Sequence, residues 1–286
     1  MTKKECYLCK GRTYRERSAK VRDDPQLKVL ECASCNLVFL SSFDHIKDDF
    51  YENSNMHTEQ TINIEDWIKK TEADDERRFQ ELKSVLPQSS LLDFGCGSGN
   101  FLVKASSLAN QVCGIEPEVR LVERFRELNL TVYRSVPEVP AKDKFDLITL
   151  FHTLEHLPDP KSTLIELSKL LKSKGELIIE VPNADDALLT IYNSEAFSDF
   201  TYWSCHLFLF TIKTLKELAS QANLKVNYIK QIQRYSLANH LFWLAKGKPD
   251  GHNQWKFLDS KELNQAYESH LRILGKCDTI IMSLSL

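Results

Sequence analysis

The stretch LLDFGCGSGNF, residues 91–101, decides the fold. Leu91 and Leu92 read as a short buried strand with Asp93 at its carboxyl end. Gly95, Gly97 and Gly99 then alternate with small residues, and residues 101–108 read as a helix. A chain gives up side chains at alternate positions where its backbone passes close to something else. Strand, glycine turn and helix in this order open a doubly wound α/β fold, whose ligand lies beyond the carboxyl ends of the strands.

Two ligand classes suit such a turn. Dinucleotides call for G-x-G-x-x-G, with amides at the helix start around a pyrophosphate. Here the spacing is G-x-G-x-G and Asp93 precedes it by two residues. That carboxylate would repel a phosphate and accept hydrogen bonds from an amine. The next strand, QVCGIEPE (residues 111–118), carries Glu116 at its end, where a carboxylate takes two ribose hydroxyls. The expected ligand has a ribose and an amino group and needs no phosphate. S-adenosylmethionine fits that description.

With these motifs the chain resembles the class I S-adenosylmethionine-dependent methyltransferases. LLDFGCGSGNF is similar to their first motif, GIEP to their acidic second-strand motif, and KFDLITLFHTLEHLPDP (144–160) to their fourth-strand region. LKSKGELIIEVPN (171–183) is similar to their helix, glycine turn and fifth strand. The resemblance covers about residues 75–232 and implies a Rossmann-like seven-stranded α/β sheet, closed by CDTIIMSLSL (277–286) as last strand. It implies that Asp93, Gly95, Gly97 and Gly99 contact the methionine part of the cofactor. It further implies that Glu116 binds the ribose, that Pro117 lies along the adenine, and that Arg134 and Ser135 sit at the adenine edge. Asp146, Phe151 and His152 would flank the fourth strand near the methyl group. The other reading of Asp146 is a strand-start acid paired within the structure.

Before this domain the cysteines cluster. Of eight, Cys6 and Cys9 form one C-x-x-C, and Cys32 and Cys35 a second. Two thiolates three apart on a tight turn face one ion, and two such turns complete a tetrahedron, so a structural zinc is expected. Gly11 and Asn36 supply the turn conformations after each pair. Four sulfur ligands close the site, leaving the metal no catalytic part. Four reduced core cysteines, or a redox C-x-x-C, are the alternatives; the latter lacks its β-α-β context. Residues 1–22 are basic and residues 23–60 acidic, so a solvated face outweighs a phosphate-binding patch.

The whole is 286 residues, 42% hydrophobic, with a formal charge of −3, enough for one large domain and a small one. The divisions expected are residues 1–47 as a zinc-binding ribbon-like segment, 48–88 as a helical linker or lid, and 89–286 as the catalytic domain. In the lid, residues 65–86 read as a helix with Trp67, Ile68, Phe79, Leu82 and Leu86 on one face, ended by Pro87. No run matches a membrane span, and no apolar stretch opens the chain as a secretory signal, so a cytoplasmic place is expected.

Three histidines are candidate bases. His152 and His156 bracket Glu155, and His206 lies in the aromatic segment FSDFTYWSCHLFLFT (197–211). That segment is similar to the H-x-x-x-F-T stretch of bacterial sugar methyltransferases. In a carbon-methylating subgroup a Glu–His pair stands there; Cys205 takes the glutamate's place here, which points to oxygen methylation. The segment 211–226 reads as a capped amphipathic helix leading to a sixth strand. An insertion, residues 235–274, brings Tyr235, Phe242, Trp243, Trp255 and Phe257 together with His240, Lys246, Lys248 and His252. Aromatic faces and lysines suit a sugar and a phosphate. A helical hairpin packed on the sheet, or on a second copy in a homodimer, is the alternative.

The resemblance therefore implies a methyltransferase acting on a carbohydrate hydroxyl, in a nucleotide sugar or a surface-polysaccharide precursor. Sugar carbon methylation, an RNA methyltransferase reading RNA through the zinc ribbon, and a non-catalytic adaptor are the other readings. Net charge and the absence of a wide basic stripe disfavour nucleic acid as partner.

Overall fold

The computed structural model describes residues 5–47, 50–52 and 63–286. Positions 48–49 and 53–62 of the expected lid lie outside the described residues. At the start, β1 (Tyr14–Glu16), β2 (Val29–Cys32) and β3 (Val38–Leu40) form an antiparallel meander. Helix α1 (Ile64–Leu82) follows, its first turn capped by the Asn63 side chain accepting from the Asp66 amide. It ends before the expected residue 86; Leu86 is buried just beyond it.

The alternating unit then begins: β4 (Ser90–Phe94), α2 (Asn100–Ala105), β5 (Gln111–Ile115), α3 (Val122–Glu127), β6 (Thr131–Tyr133) and β7 (Phe145–Phe151). Next come α4 (Pro160–Ser168) and β8 (Leu171–Pro182). Residues 171–175, expected as helix end and turn, belong to this long strand. A Cβ on Gly175 would stand 2.8 Å from the Phe145 carbonyl oxygen, so only glycine lets the two strands close here.

Two short helices, α5 (Ala187–Thr190) and α6 (Glu195–Thr201), precede β9 (Phe208–Leu209). Helix α7 (Ile212–Gln221) carries the expected cap, a reciprocal Thr211–Thr214 box, and leads to β10 (Lys225–Ile232). The insertion is helical: α8 (Leu237–Lys246), α9 (Gly251–Gln254) and α10 (Lys261–Leu274). Strand β11 (Thr279–Ser285) ends the chain.

The main sheet has seven strands in the order β10-β11-β8-β7-β4-β5-β6. The five from β8 to β6 run parallel, and β11 enters antiparallel between β8 and β10. This is the α/β sheet expected from sequence. Parallel strands buried on both faces need near-continuous apolar runs, and β4, β7 and β8 supply them. The order reverses between β4 and β7, which opens a crevice at their carboxyl ends.

The second sheet has four strands, β1-β2-β3-β9. Its last strand comes from the middle of the chain, with Val38 paired to Leu209 and Phe39 to Phe208. One hydrophobic cluster runs through both sheets, from Leu8, Val38 and Phe208 to Leu92, Ile148 and Ile179.

Candidate active site

A cavity of about 540 Å³ occupies the crevice. Asp93, Gly95, Gly97, Glu116, Pro117, Ser135, Phe151, His152 and His156 line it, together with Arg134 at the rim. Gly95 and Gly97 have φ of +76° and +51°, and a Cβ on Gly95 would lie 2.3 Å from the Thr153 hydroxyl. Gly99 was expected among these residues and faces away. It starts α2 with φ +75°, and a Cβ there would meet Leu130 at 2.9 Å. Its role is to start the helix and to admit Leu130 and Phe125 against the turn.

Glu116 accepts from the Gly97 amide at 2.8 Å and the Glu118 amide at 3.1 Å. Burial raises its pKa, and these two donors oppose the shift. Asp93 is buried and accepts from the Thr149 hydroxyl at 2.7 Å. Burial pushes its carboxyl up to about 7, with Asp75 and Glu116 adding to the effect against Thr149 and Arg78. A cationic ligand would favour the ionised form of both. Asp146, by contrast, sits at the start of β7 and pairs with Lys172 at 2.7 Å and with the Ser90 amide and hydroxyl. It is a structural acid, remote from the carboxyl ends of the strands.

Helix α1 covers one side of the crevice with Trp67, Asp74, Asp75 and Arg78. The Trp67 ring stands 3.0 Å from where a Gly97 Cβ would be. Buried charges pin the helix down. Arg77 and Arg78 each reach Glu180 at 2.8 Å, and the Arg234 guanidinium pairs with Asp74 at 3.0 Å. Sequence reasoning identified α1 and overlooked this network. Its members are scattered over three elements, and nothing in their spacing links them.

A second cavity of about 310 Å³ adjoins the first and shares His152 and Arg234 with it. Phe197, Phe200, Trp203 and His206 form one wall; Tyr235, Asn239, His240 and Trp243 of the insertion form another. Thus Tyr235, His240 and Trp243 reach a cavity as expected. Phe242 instead meets Trp255 edge to face and Trp255 meets Phe257 at a tilt, with centroids 5.1 and 6.4 Å apart. Lys246, Lys248 and His252 lie outside the lining.

The three histidines now separate. His152 has φ +51°, at the very end of β7. Its Nε2 lies 3.0 Å from Arg234 Nη1 and 3.2 Å from Glu180, and its Nδ1 lies 3.4 Å from Glu155. His156 is enclosed between the rings of Tyr51, Trp203 and His206. His206 lines the second cavity while its Nδ1 is sealed inside without a partner. Burial depresses His206 to about 3 and lowers His156 too, so both imidazoles are neutral near pH 7. Glu155 is fully buried and both its oxygens lack hydrogen bonds. Burial would raise its pKa, and the His152 ring beside it acts the other way and lowers it. Ligating atoms of Glu155, His156 and His206 lie within 4.8 Å of one another. A glutamate therefore does stand beside His206. It arrives from the turn after β7, which is why the sequence, showing Cys205 before the histidine, concealed it.

In the N-terminal segment, Cys6, Cys9, Cys32 and Cys35 converge. The Cys6–Cys35 and Cys9–Cys32 sulfurs are 3.6 and 3.5 Å apart. About 3.8 Å is the edge of a tetrahedron with zinc–sulfur bonds of about 2.3 Å, so the cage is of the right size. Amides of Leu8 and Cys9 point to the Cys6 sulfur, and those of Ser34 and Cys35 to the Cys32 sulfur. The left-handed residue after the first pair is Lys10, with φ +60°, and not Gly11. Gly11 is needed for room: a Cβ there would stand 3.3 Å from the Cys9 sulfur.

A methyltransferase domain matches residues 64–229. The chain is 34% identical over 116 residues to a ubiquinone biosynthesis O-methyltransferase of Xanthomonas campestris, covering 37% of this chain and 48% of that one. It is 30% identical over 131 residues to the mitochondrial ubiquinone biosynthesis O-methyltransferase of Candida albicans, covering 41% of this chain and 39% of the relative. The chain thus spans about half the length, or less, of these curated relatives. Among solved structures, an S-adenosylmethionine-dependent methyltransferase from Thermotoga maritima superposes with a TM-score of 0.51 at 20% identity, covering 77% of this chain and 93% of that one. One from Archaeoglobus fulgidus gives 0.50 at 19% identity, covering 79% of this chain and 100% of the other. These structures share its fold. With the matched domain spanning more than half of the chain and the glycine loop at the centre of its sheet, the protein belongs to the methyltransferase-domain family.

Proposed function

We propose that this protein is an S-adenosylmethionine-dependent O-methyltransferase whose acceptor, a sugar hydroxyl, occupies the second cavity. The observation that carries the reading is the junction: two cavities meet at His152 and Arg234, one at the glycine loop and one at His206. Gly95, Gly97 and Asp93 would hold the amino-acid part of the cofactor, Glu116 its ribose, and Pro117 and Ser135 its base. When bound, S-adenosylmethionine supplies a methyl group made electrophilic by a cationic sulfur.

His206 takes the proton of the acceptor hydroxyl as the new carbon–oxygen bond forms and the carbon–sulfur bond breaks. The negative Glu155 beside it stabilises the imidazolium so formed. His152, beside Arg234 and Glu180 and facing Glu155, forms the floor between the two cavities. Helix α1, tied down by Glu180 and Arg234, excludes water from the reacting atoms. Zinc in the four-cysteine cage is structural and shapes residues 5–47.

The aromatic walls and the polar Asn239, His240 and Asp186 suit a hydroxylated ring. Phenols satisfy the same walls, and the relatives named for ubiquinone biosynthesis favour them as second reading. The basic N-terminal stretch gives RNA little support. Arg12 pairs with Glu5, Arg15 and Arg17 with Glu31, Lys20 with Asp199 and Lys28 with Glu16.

The test is calorimetric titration of metal-analysed protein with S-adenosylmethionine and S-adenosylhomocysteine, followed by labelled-methyl transfer to nucleotide sugars and to phenols. Micromolar binding, about −8 kcal/mol, with one zinc per chain is expected. A folded protein that binds neither nucleoside would overturn the reading. Label found on phenols alone would replace the sugar.

A further inference from the structure

An exposed charge that nothing above employs lines the second cavity. Arg22 comes from the loop between the two C-x-x-C turns and lines this cavity. Its guanidinium carbon lies 5.1 Å from the Phe200 ring centroid and 4.7 Å from that of Trp203. Stacking against aromatic faces fixes the plane of a guanidinium and leaves its donors free at the edge. The other arginines of the N-terminal segment, Arg12, Arg15 and Arg17, are all bound to carboxylates. Arg22 has no carboxylate partner among the described residues, and the hydrogen bond from its guanidinium to the Phe200 carbonyl is long at 3.5 Å. The adjacent acid, Asp23, is occupied by the Ser204 amide and hydroxyl.

Two acids also line the cavity, and neither is paired with Arg22. Asp278 accepts from the Arg234 and Tyr235 amides and from Gln233. Asp186 is buried, and burial, with Asp278 nearby, pushes it up to about 8, leaving it neutral at pH 7.

The loop is held in place firmly. The Arg22 amide donates to the Tyr202 carbonyl at 3.0 Å, the Lys20 amide to Asp199 at 3.0 Å, and Arg17 to the Tyr202 hydroxyl at 2.9 Å. The four-cysteine module is thus built into the wall of the acceptor cavity.

We infer that Arg22 is an oxyanion anchor, so that the acceptor carries a phosphate or carboxylate and the cysteine module serves as its recognition element. The inference rests on reading this cavity as the acceptor side. A planar fork matches two oxygens of either anion, and a charge-assisted pair gives register as well as affinity. A phosphate would come from a nucleotide-linked or phosphorylated sugar, a carboxylate from an aromatic or sugar acid.

Trp203 and Trp243 both line the cavity and report on it. Their fluorescence is followed as inorganic pyrophosphate or benzoate is added to the full chain, with and without S-adenosylhomocysteine. We expect saturable quenching by at least one anion and about tenfold to a hundredfold weaker binding in Arg22→Met, the range of one charge-assisted pair. Arg22→Lys keeps the charge, loses the fork and falls between. Preference for pyrophosphate identifies phosphate as the anchor's partner; preference for benzoate identifies carboxylate. Equal binding by wild type and Arg22→Met, or no saturable response to either anion, overturns the inference. Unchanged S-adenosylhomocysteine affinity in Arg22→Met shows the variant folded. Failure of the wild type to bind that nucleoside would count against the methyltransferase reading, while the anion titration stands on its own.

Discussion

The two cavities are neighbours and are made in opposite ways. The first is centred on backbone. A single strand–turn–helix passage and the end of the next strand supply its floor within residues 93–117, and side chains of α1 and of the loops after β6 and β7 close round it. The second is drawn from many distant places: the loop at Arg22, His152 after β7, the end of β8 with α5, the segment 197–209, residues 234–249 and the start of β11 at Asp278. A ligand held by backbone leaves a contiguous signature, since the glycines that admit it are adjacent in the chain. A ligand held by side chains leaves scattered residues whose kinship appears only after folding.

The sharpest way to break this contrast is at the junction. His206→Ala should lower turnover about a hundredfold to ten-thousandfold, the worth of a general base, and leave nucleoside affinity within twofold. Steady-state rates paired with calorimetry decide it. Turnover that survives would return His206 to packing among Trp203 and His156.

The complementary change is Gly97→Val, aimed at the first cavity alone. It places a branched side chain at φ +51° against Trp67. Nucleoside affinity should fall about a hundredfold or more. Tryptophan quenching by pyrophosphate in the second cavity should hold its midpoint. A parallel loss in both cavities would mean that they form one site.

The smallest effect sharpens the comparison through pH. His240 is buried in the second cavity between Gln233 and Tyr267, and burial lowers it to about 4 from an ordinary 6.5. Above about 6.5 it is neutral folded or unfolded. Below that, the unfolded chain takes up a proton the folded one refuses, so stability is lost progressively down to about pH 4. Asp93 and Asp186, raised by burial, act in the opposite sense, so the wild-type curve mixes both. The difference between wild type and His240→Gln isolates the histidine. The variant should lose less stability between pH 6.5 and 4, measured by denaturant unfolding. Identical slopes would remove His240 from the account.

The sequence carried the fold through local signals. The glycine turn, the Thr211 box and the apolar runs of β4 and β7 each act within a few residues, and each appears where the spacing placed it. Glu116 was legible because the end of β5 must lie beside the turn after β4 once the two strands pair. The paired C-x-x-C turns were legible because a tetrahedron fixes its own spacing. Gly99 was misplaced because a glycine that starts a helix and one that faces a ligand look alike in a G-x-G-x-G run. Glu155 beside His206, Arg234 between the cavities and Arg22 on Trp203 were beyond reach. Each depends on long-range packing, and none of these residue types is rare enough to stand out unaided.

The fourth strand of the cysteine sheet is borrowed from the catalytic half of the chain, and Phe208 on it is fully buried against Tyr7 and Phe43. A chain shortened to begin after residue 47 would leave β9 an unpaired edge with large apolar rings exposed on it. Such an edge recruits other strands. The truncated protein should therefore come out of the cell as aggregate and not as a smaller enzyme, and grafting this module onto another methyltransferase would require carrying residues 197–211 along with it.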